Sequence, residues 1–251
     1  MKAAFTTQQR WDDAYHGVPL AMAAAGDPVR AWLERHLPRG GGAALELGCF
    51  PGRYLAVLGA LGYEVNGLDL TPRLAELPPW FARLGQRVGT FTRADVFMHP
   101  FPRRFEVVCS FGLIEHFGDW PGLLRRHADL VAPGGWLAVS TPNFRGGLQQ
   151  ALHRWLDAAN LAEHNLAAMS PAAWAAVVQP LGFEIMHCGW LGPFDFWVGA
   201  APRRWPQRVA LQAIHHLAPA LRLLPDNVGS YAPYCALVAR RARAARETNP
   251  V

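Results

Sequence analysis

The residues best placed for chemistry are two carboxylates, Glu46 and Asp69, on either side of the glycine-punctuated turn Gly48-Cys49-Phe50-Pro51-Gly52. A carboxylate at the C-terminal end of a strand, reached through a tight turn and a helix, can accept both hydroxyls of a ribose. Asp69 holds that place, so a nucleotide-type ligand is expected. A dinucleotide loop needs glycine at its first, third and sixth places, the middle one so that backbone can approach a pyrophosphate. Here those places hold Gly48, Phe50 and Arg53. Only the first matches, and the bulk of Phe50 favours a ligand without phosphate. Glu46, two residues before Gly48, adds a negative charge suited to a cation.

These side chains need a particular frame. Ala43 to Leu47 is a short apolar run that reads as a buried strand, ended by Gly48 and Pro51-Gly52. Tyr54, Leu55, Leu58 and Leu61 recur at helical spacing, and a second apolar run from Tyr63 to Leu68 ends at Asp69. Further on, the pattern predicts a helix near 72–86, strands near 88–94 and 105–110, a helix over 119–131 and a strand over 135–141. Asp119 is the expected N-cap of that second helix, with Pro121 in its first turn. Such alternation demands a parallel sheet with right-handed crossovers. The fold class is therefore α/β, doubly wound, with the ligand crevice outside the strand ends.

Glu46-Leu47-Gly48-Cys49-Phe50-Pro51-Gly52 resembles motif I of the class I S-adenosylmethionine (SAM) dependent methyltransferases, with Phe50 where that family most often has glycine. The likeness continues in order and spacing over residues 40–142. Asp69 stands at the family's ribose-binding acid, and Ala94-Asp95-Val96 at the acid and hydrophobe flanking adenine. Phe105 to Ser110 matches its fourth strand, leading into Gly112-Leu113-Ile114-Glu115-His116-Phe117, and Ala132-Pro133-Gly134-Gly135 its helix-to-strand turn. The resemblance implies a Rossmann-like mixed sheet of about seven strands whose last strand is antiparallel, with helical lid insertions. It implies SAM as cofactor, bound by Glu46, Gly48, Cys49, Phe50, Gly52 and Tyr54 in the loop and by Asp69 and Leu70 at the ribose. Asp95 and Val96 are implied at the adenine, Ser110 and Phe111 at the end of the fourth strand, and Tyr15 from an N-terminal cover.

Composition narrows the rest. A chain of 251 residues with half of them hydrophobic can bury one sizeable core, so a single domain over 1–251 is expected. Within it, 1–40 forms a helical cover, 143–170 a lid insertion and 190–229 an insertion before the last strand. No apolar run reaches the roughly 20 residues of a membrane span, and the first ten residues lack a signal-peptide core; a cytoplasmic enzyme is expected. The four cysteines Cys49, Cys109, Cys188 and Cys235 lie far apart and read as small buried residues in or beside strands. The formal charge of +5 comes from arginine, because Lys2 is the only lysine. The arginines fall in dispersed pairs rather than one basic stripe, which argues against nucleic acid as a partner, and the run from Arg240 to Arg246 reads as a tail.

The segment after Pro142 departs from simple alternation. Residues 148–160 have helical spacing, and Ser170 with Pro171 reads as the N-cap and first position of the next helix. Strands are expected over 182–187 and 233–240, the last entering beside the fifth. Between them an amphipathic helix over 206–224 is expected to serve core or dimer packing, since it lacks the dense basic face of a membrane-surface helix. The partner is thus a small-molecule acceptor, and the chain a monomer or homodimer.

Methyl transfer from a sulfonium is an in-line displacement for which the protein positions, excludes water and, for weak nucleophiles, removes a proton. His116, beside Glu115 at the mouth of the crevice, and His164 in the lid are the catalytic candidates. His99 falls in a turn, and His215 and His216 on a solvated helix face. Asp95, Glu115 and His116 lack the spacing of a dedicated metal cage, so no metal is expected. Aromatics concentrated in the lid and in residues 190–197 suit an apolar or aromatic acceptor pocket. The expected activity is methylation of a hydroxyl or amine on a small organic acceptor. The alternatives are an RNA or protein methyltransferase, a protein of this fold that binds ligand without methylating, and a nicotinamide oxidoreductase, which Phe50 opposes.

Overall fold

The apolar runs read from the sequence become the strands of a single sheet. The computed structural model describes residues 4–243. Its strands are β1 (Ala43–Leu47), β2 (Glu64–Asp69), β3 (Val88–Arg93), β4 (Phe105–Phe111), β5 (Val131–Pro142), β6 (Phe183–Leu191) and β7 (Tyr234–Arg241). They lie in the order β3-β2-β1-β4-β5-β7-β6. The first five are parallel, while β7 runs antiparallel between β5 and β6. The strand order reverses between β1 and β4, which makes their C-terminal ends the switch point where ligands of doubly wound sheets bind.

Side chains alternate across the pleat and send apolar groups to both faces. On one face Ala44, Val65 and Val107 meet α2 (Pro28–His36), α3 (Leu55–Ala60) and α4 (Leu77–Arg83) through Trp32, Leu33, Leu58 and Phe81. On the other, Leu45, Leu47, Val108 and Leu237 pack on α5 (Trp120–Leu130) and α8 (Pro171–Val178) through Leu124 and Trp174. The remaining helices are α1 (Gln8–Tyr15), α6 (Gly147–Leu156), α7 (Ala158–Ala162) and α9 (Trp205–Leu221). Leu156, Phe194 and Phe196 form a small separate cluster beneath α9. Among the described residues, no helix is long and apolar enough to cross a membrane.

Several expectations are corrected. The helix expected over 72–86 is a 3-10 turn, Pro72–Glu76, followed by α4. Pro78 and Pro79 lack the N–H that a continuous helix would need, so the helix restarts around them. The helix expected over 148–160 breaks at Asp157, which leaves helical geometry (φ −152°, ψ 39°). Its buried carboxylate accepts from Arg203 Nη2 at 2.8 Å and from Gly199 N at 3.0 Å. Ser170 occupies the N-cap of α8 without a side-chain capping bond, whereas Asp119 caps α5 by accepting from Gly122 N at 2.9 Å. Arg240 and Arg241, read as the start of a tail, belong to β7. Arg241 Nη1 donates to the carbonyls of Ala128 and Val131; residues 244–246 of that run lie outside the described residues. Cys49, Cys109 and Cys235 are buried, but Cys188 is exposed, because the edge strand β6 has one wetted face.

Candidate active site

A cavity of about 520 Å³ opens at the C-terminal ends of β1, β2 and β4. Of the residues expected at the cofactor, Tyr15, Gly48, Asp69, Leu70, Asp95, Val96 and Phe111 line it, and so does His116. Glu46, Cys49, Phe50, Gly52, Tyr54, Ser110 and His164 stand outside that lining. A larger hollow of about 750 Å³ lies between the segment after β5 and strand β6; its wall has none of the residues expected at the cofactor but includes Trp190, one of the aromatics expected at the acceptor pocket.

The turn after β1 is built by close approach. Gly48 has φ +70°, and a Cβ there would lie 2.7 Å from Leu113 Cδ1; its N–H and that of Cys49 donate to Leu68 O at 2.8 and 3.2 Å. Gly52, at φ +80°, would press a Cβ to 3.0 Å from the Phe81 ring. Asp69 Oδ2 accepts from Phe50 N and Oδ1 from Thr71 N, each at 3.0 Å. Each oxygen keeps a lone pair for another donor. Burial raises the Asp69 pKa, against the lowering by these backbone donors. Glu46 is buried, its pKa pushed well up by burial and by Asp69, and its Oε2 has no partner among the described residues. Asp95 Oδ1 accepts from Phe97 N at 2.8 Å, which fixes the carboxylate in the cavity wall.

The other loop residues support the wall from behind. Phe50 is buried, with the Arg73 guanidinium 4.8 Å above its ring and Tyr15 against it at 4.9 Å. Tyr54 donates to Asp27 Oδ2 at 3.2 Å, and its ring packs on Phe111 at 4.7 Å. Cys49 fills the space left by Gly67, where a Cβ would come within 2.4 Å of its sulfur. Ser110 turns toward α5. His127 Nδ1 sits 2.7 Å from Leu123 O, so that nitrogen carries the proton, and Ser110 Oγ donates to Nε2 at 2.9 Å.

The N-terminal segment closes one side. Ala4 bridges Phe117, Phe5 N donates to His116 O at 2.8 Å, and the Trp11 ring meets His116 edge-on at 4.7 Å. Arg73 donates to the carbonyls of Tyr15 and Val18, and Arg10 pairs with Glu163 at 2.9 Å. Thr6, Thr7 and Gln8 join Trp11 and Tyr15 in the cavity wall. Sequence reasoning missed these three; the available signal was Thr7 as N-cap, accepting from Arg10 N at 3.2 Å.

At the far end, Glu115, His116 and His164 converge, each offering an atom within 4.8 Å of the others. His116 Nδ1 lies 3.1 Å from Glu163 O and 3.0 Å from Thr6 Oγ1. His164 Nδ1 lies 2.7 Å from Asn160 O. A carbonyl only accepts, so each Nδ1 carries the proton and each Nε2 is left with a lone pair. Burial, then the neighbouring His164, lowers the His116 pKa to about 3. Burial lowers that of His164 as well. Burial raises Glu115 to about 8, and both its oxygens lack partners among the described residues. Two neutral imidazoles beside a carboxyl can pass a proton or hold a divalent cation. The spacing of Glu115 and His116 alone did not reveal this group, because His164 comes from the segment just after α7.

A reversed-order α/β sheet with a carboxylate at the end of β2, bordering a cavity at the switch point, is the frame of the class I methyltransferase type. The methyltransferase domain family model matches residues 23–188, more than half of the chain, so the chain belongs to the class I SAM-dependent methyltransferase family. It is 30% identical over 140 residues to the ubiquinone biosynthesis O-methyltransferase of Thiobacillus denitrificans, a match covering 53% of this chain and 57% of that protein. The chain thus spans just over half the length of that curated relative. Among solved structures, the magnesium protoporphyrin IX methyltransferase of Synechocystis PCC 6803 with bound SAH superposes with TM-score 0.51 at 16% identity, over 85% of this chain and 80% of that one. The [4+2]-cyclase SpnF superposes with TM-score 0.55 at 18% identity, over 97% and 99%. At these identities the likeness is one of fold, and the second neighbour's name is a reminder that one fold hosts several chemistries.

Proposed function

We propose that the chain transfers a methyl group from SAM to a hydroxyl or amine of a small, apolar or aromatic organic acceptor. The observation that carries the reading is the cavity with Asp69 at one end and neutral His116 at the other. Asp69 keeps two lone pairs for ribose hydroxyls, Asp95 and Val96 flank the adenine, and Tyr15 with Gly48 borders the methionine end. Buried Glu46 stands behind the cavity wall with an oxygen unpartnered among the described residues, but burial and Asp69 favour its neutral form, so it acts as a polar group rather than as the negative charge expected from the sequence. When bound, SAM supplies an electrophilic methyl and a neutral leaving group. The chain's own tasks are to align the acceptor, keep water out and take its proton.

His116 Nε2 is the proton acceptor in this reading, with the neutral imidazole of His164 as the group to which the proton can pass. Residues 1–40 act as the cover and 143–170 as the lid, with 190–229 completing a single domain that works in the cytoplasm as a monomer or homodimer. The name of the curated relative favours a hydroxyl over an amine. The test is incubation with methyl-labelled SAM and a panel of phenols, alcohols and amines. Label in a small-molecule product supports the proposal; intact SAM binding with no transfer to any acceptor refutes it in favour of a binding protein. Label entering RNA or protein instead would move the acceptor to those classes.

A further inference from the structure

The helix expected to serve core or dimer packing leaves half of its surface uncovered. On its inner side, Ala210, Leu211, Ile214 and Leu221 of α9 pack on Leu156, Phe194 and Phe196. On its outer side Trp205, Val209 and Leu217 are exposed, at 69%, 45% and 57%, and Leu223 just beyond the helix at 87%. Trp155 of α6 adds to the same patch at 53%, tied to α9 by Gln207 Nε2 donating to its carbonyl. Large apolar groups gathered in this way on a soluble surface mark an interaction site.

The charges choose the partner. From residue 196 to residue 225 the chain has no acidic residue, and Arg203, Arg204, Arg208 and Arg222 lie in it. Arg203 is occupied by Asp157 and Arg222 by Asp195. Arg204 and Arg208 are exposed, form no ion pair among the described residues and, four residues apart, share one side of the helix; Arg154 of α6 is exposed as well. The aliphatic majority of the strip, Val209, Leu217 and Leu223, suits acyl chains rather than stacked bases. The sequence of α9 lacks the dense basic face of a membrane-surface helix, but binding to a lipid interface scales with apolar area as well as charge, and the exposed Trp205, Val209, Leu217 and Leu223 supply that area along a helix about 25 Å long.

We propose that α9, with Leu223 and Trp155, docks the chain onto an anionic membrane surface. The docking is peripheral and needs neither SAM nor acceptor, so its test is separate from that of methyl transfer. The full chain is sedimented with vesicles of phosphatidylcholine alone and with vesicles containing phosphatidylglycerol. Binding to the second and not the first, weakened by salt, is expected. Arg204→Gln with Arg208→Gln should weaken it on the order of thirtyfold. Trp205→Ser with Leu217→Ser should abolish it, with unchanged thermal melting because all four side chains are exposed. A chain that ignores both vesicles overturns the proposal, as does equal binding to both. Self-association removed by the Trp205→Ser, Leu217→Ser pair, without vesicle binding, would assign the face to a second copy, and preference for RNA over vesicles would assign it to nucleic acid; either result overturns it.

Discussion

Replacing Asp69 by alanine should nearly abolish SAM binding while leaving a folded chain. Each carboxylate oxygen accepts one backbone N–H, from Phe50 and from Thr71, both at 3.0 Å, which leaves one lone pair per oxygen for the two ribose hydroxyls. A hydrogen bond to a charged group contributes about 1.5–3 kcal/mol. Losing two of them, with water entering to recover part, costs about 3 kcal/mol, or roughly 150-fold in Kd. The same substitution leaves the Phe50 and Thr71 N–H groups without their acceptor, at about 1–3 kcal/mol each in stability. The titration must therefore run well below the variant's melting temperature. Asp69→Asn keeps the shape and one oxygen, so a loss of about tenfold is expected, consistent with one bond rather than two. Isothermal calorimetry with SAM reads all three proteins. An Asp69→Ala affinity within about threefold of the parent, in a chain whose melting curve is intact, would refute the ribose assignment.

His116→Ala should lower kcat at saturating acceptor by about 10²- to 10⁴-fold if it takes the proton, with SAM affinity within a fewfold by calorimetry; undiminished turnover removes it from the chemistry. Glu115 is raised by burial from 4.5 to about 8, so its proton is held more tightly in the folded chain. Its contribution is fully present below pH 4.5 and lost as pH rises through about 8. Melting temperature against pH should therefore fall across that window, and Glu115→Gln should flatten the fall; parallel curves would contradict the burial argument. Asp157→Ala would leave Arg203, whose side chain is 11% exposed, without its carboxylate at the break between α6 and α7. A stability loss of about 3–5 kcal/mol is expected, read as a lower urea midpoint, and an unchanged midpoint would mean that water replaces the carboxylate. Phe50→Gly should free Tyr15 from the ring contact at 4.9 Å and expose Trp11 and Tyr15 to faster quenching by acrylamide; unaltered quenching would mean that the Phe50 ring does not help to hold α1.

The frame was legible because its elements are local. Short apolar runs ended by Gly48, Asp69 and Pro142 had to be buried strands, and the acid at the end of β2 had to face the switch point. Helix breaks were legible only in part. Pro78 and Pro79 stood in plain view, but the break at Asp157 depends on Arg203 and Gly199, more than forty residues away. Strand-end residues were ambiguous because the pleat alternates: Phe111 lines the cavity while its neighbour Ser110 serves His127 on the other face. The convergence of His164 with Glu115 and His116 arises from how the segment after α7 folds back on the turn after β4, which no spacing within either segment encodes. Composition failed most clearly at α9. Its amphipathic pattern gave the inner face, but only the packing reveals that the outer face has nothing over it among the described residues.

The central claim is tested most directly by following the methyl group itself. The chain is incubated with methyl-labelled SAM and the hydroxyl- and amine-bearing acceptor panel, and the products are separated by mass spectrometry. Label on the oxygen or nitrogen of a small acceptor, reduced strongly in Asp69→Ala at limiting SAM and in His116→Ala at saturating acceptor, is the expected result. SAM bound in the cavity at full affinity, with its label never leaving for any acceptor, would contradict it.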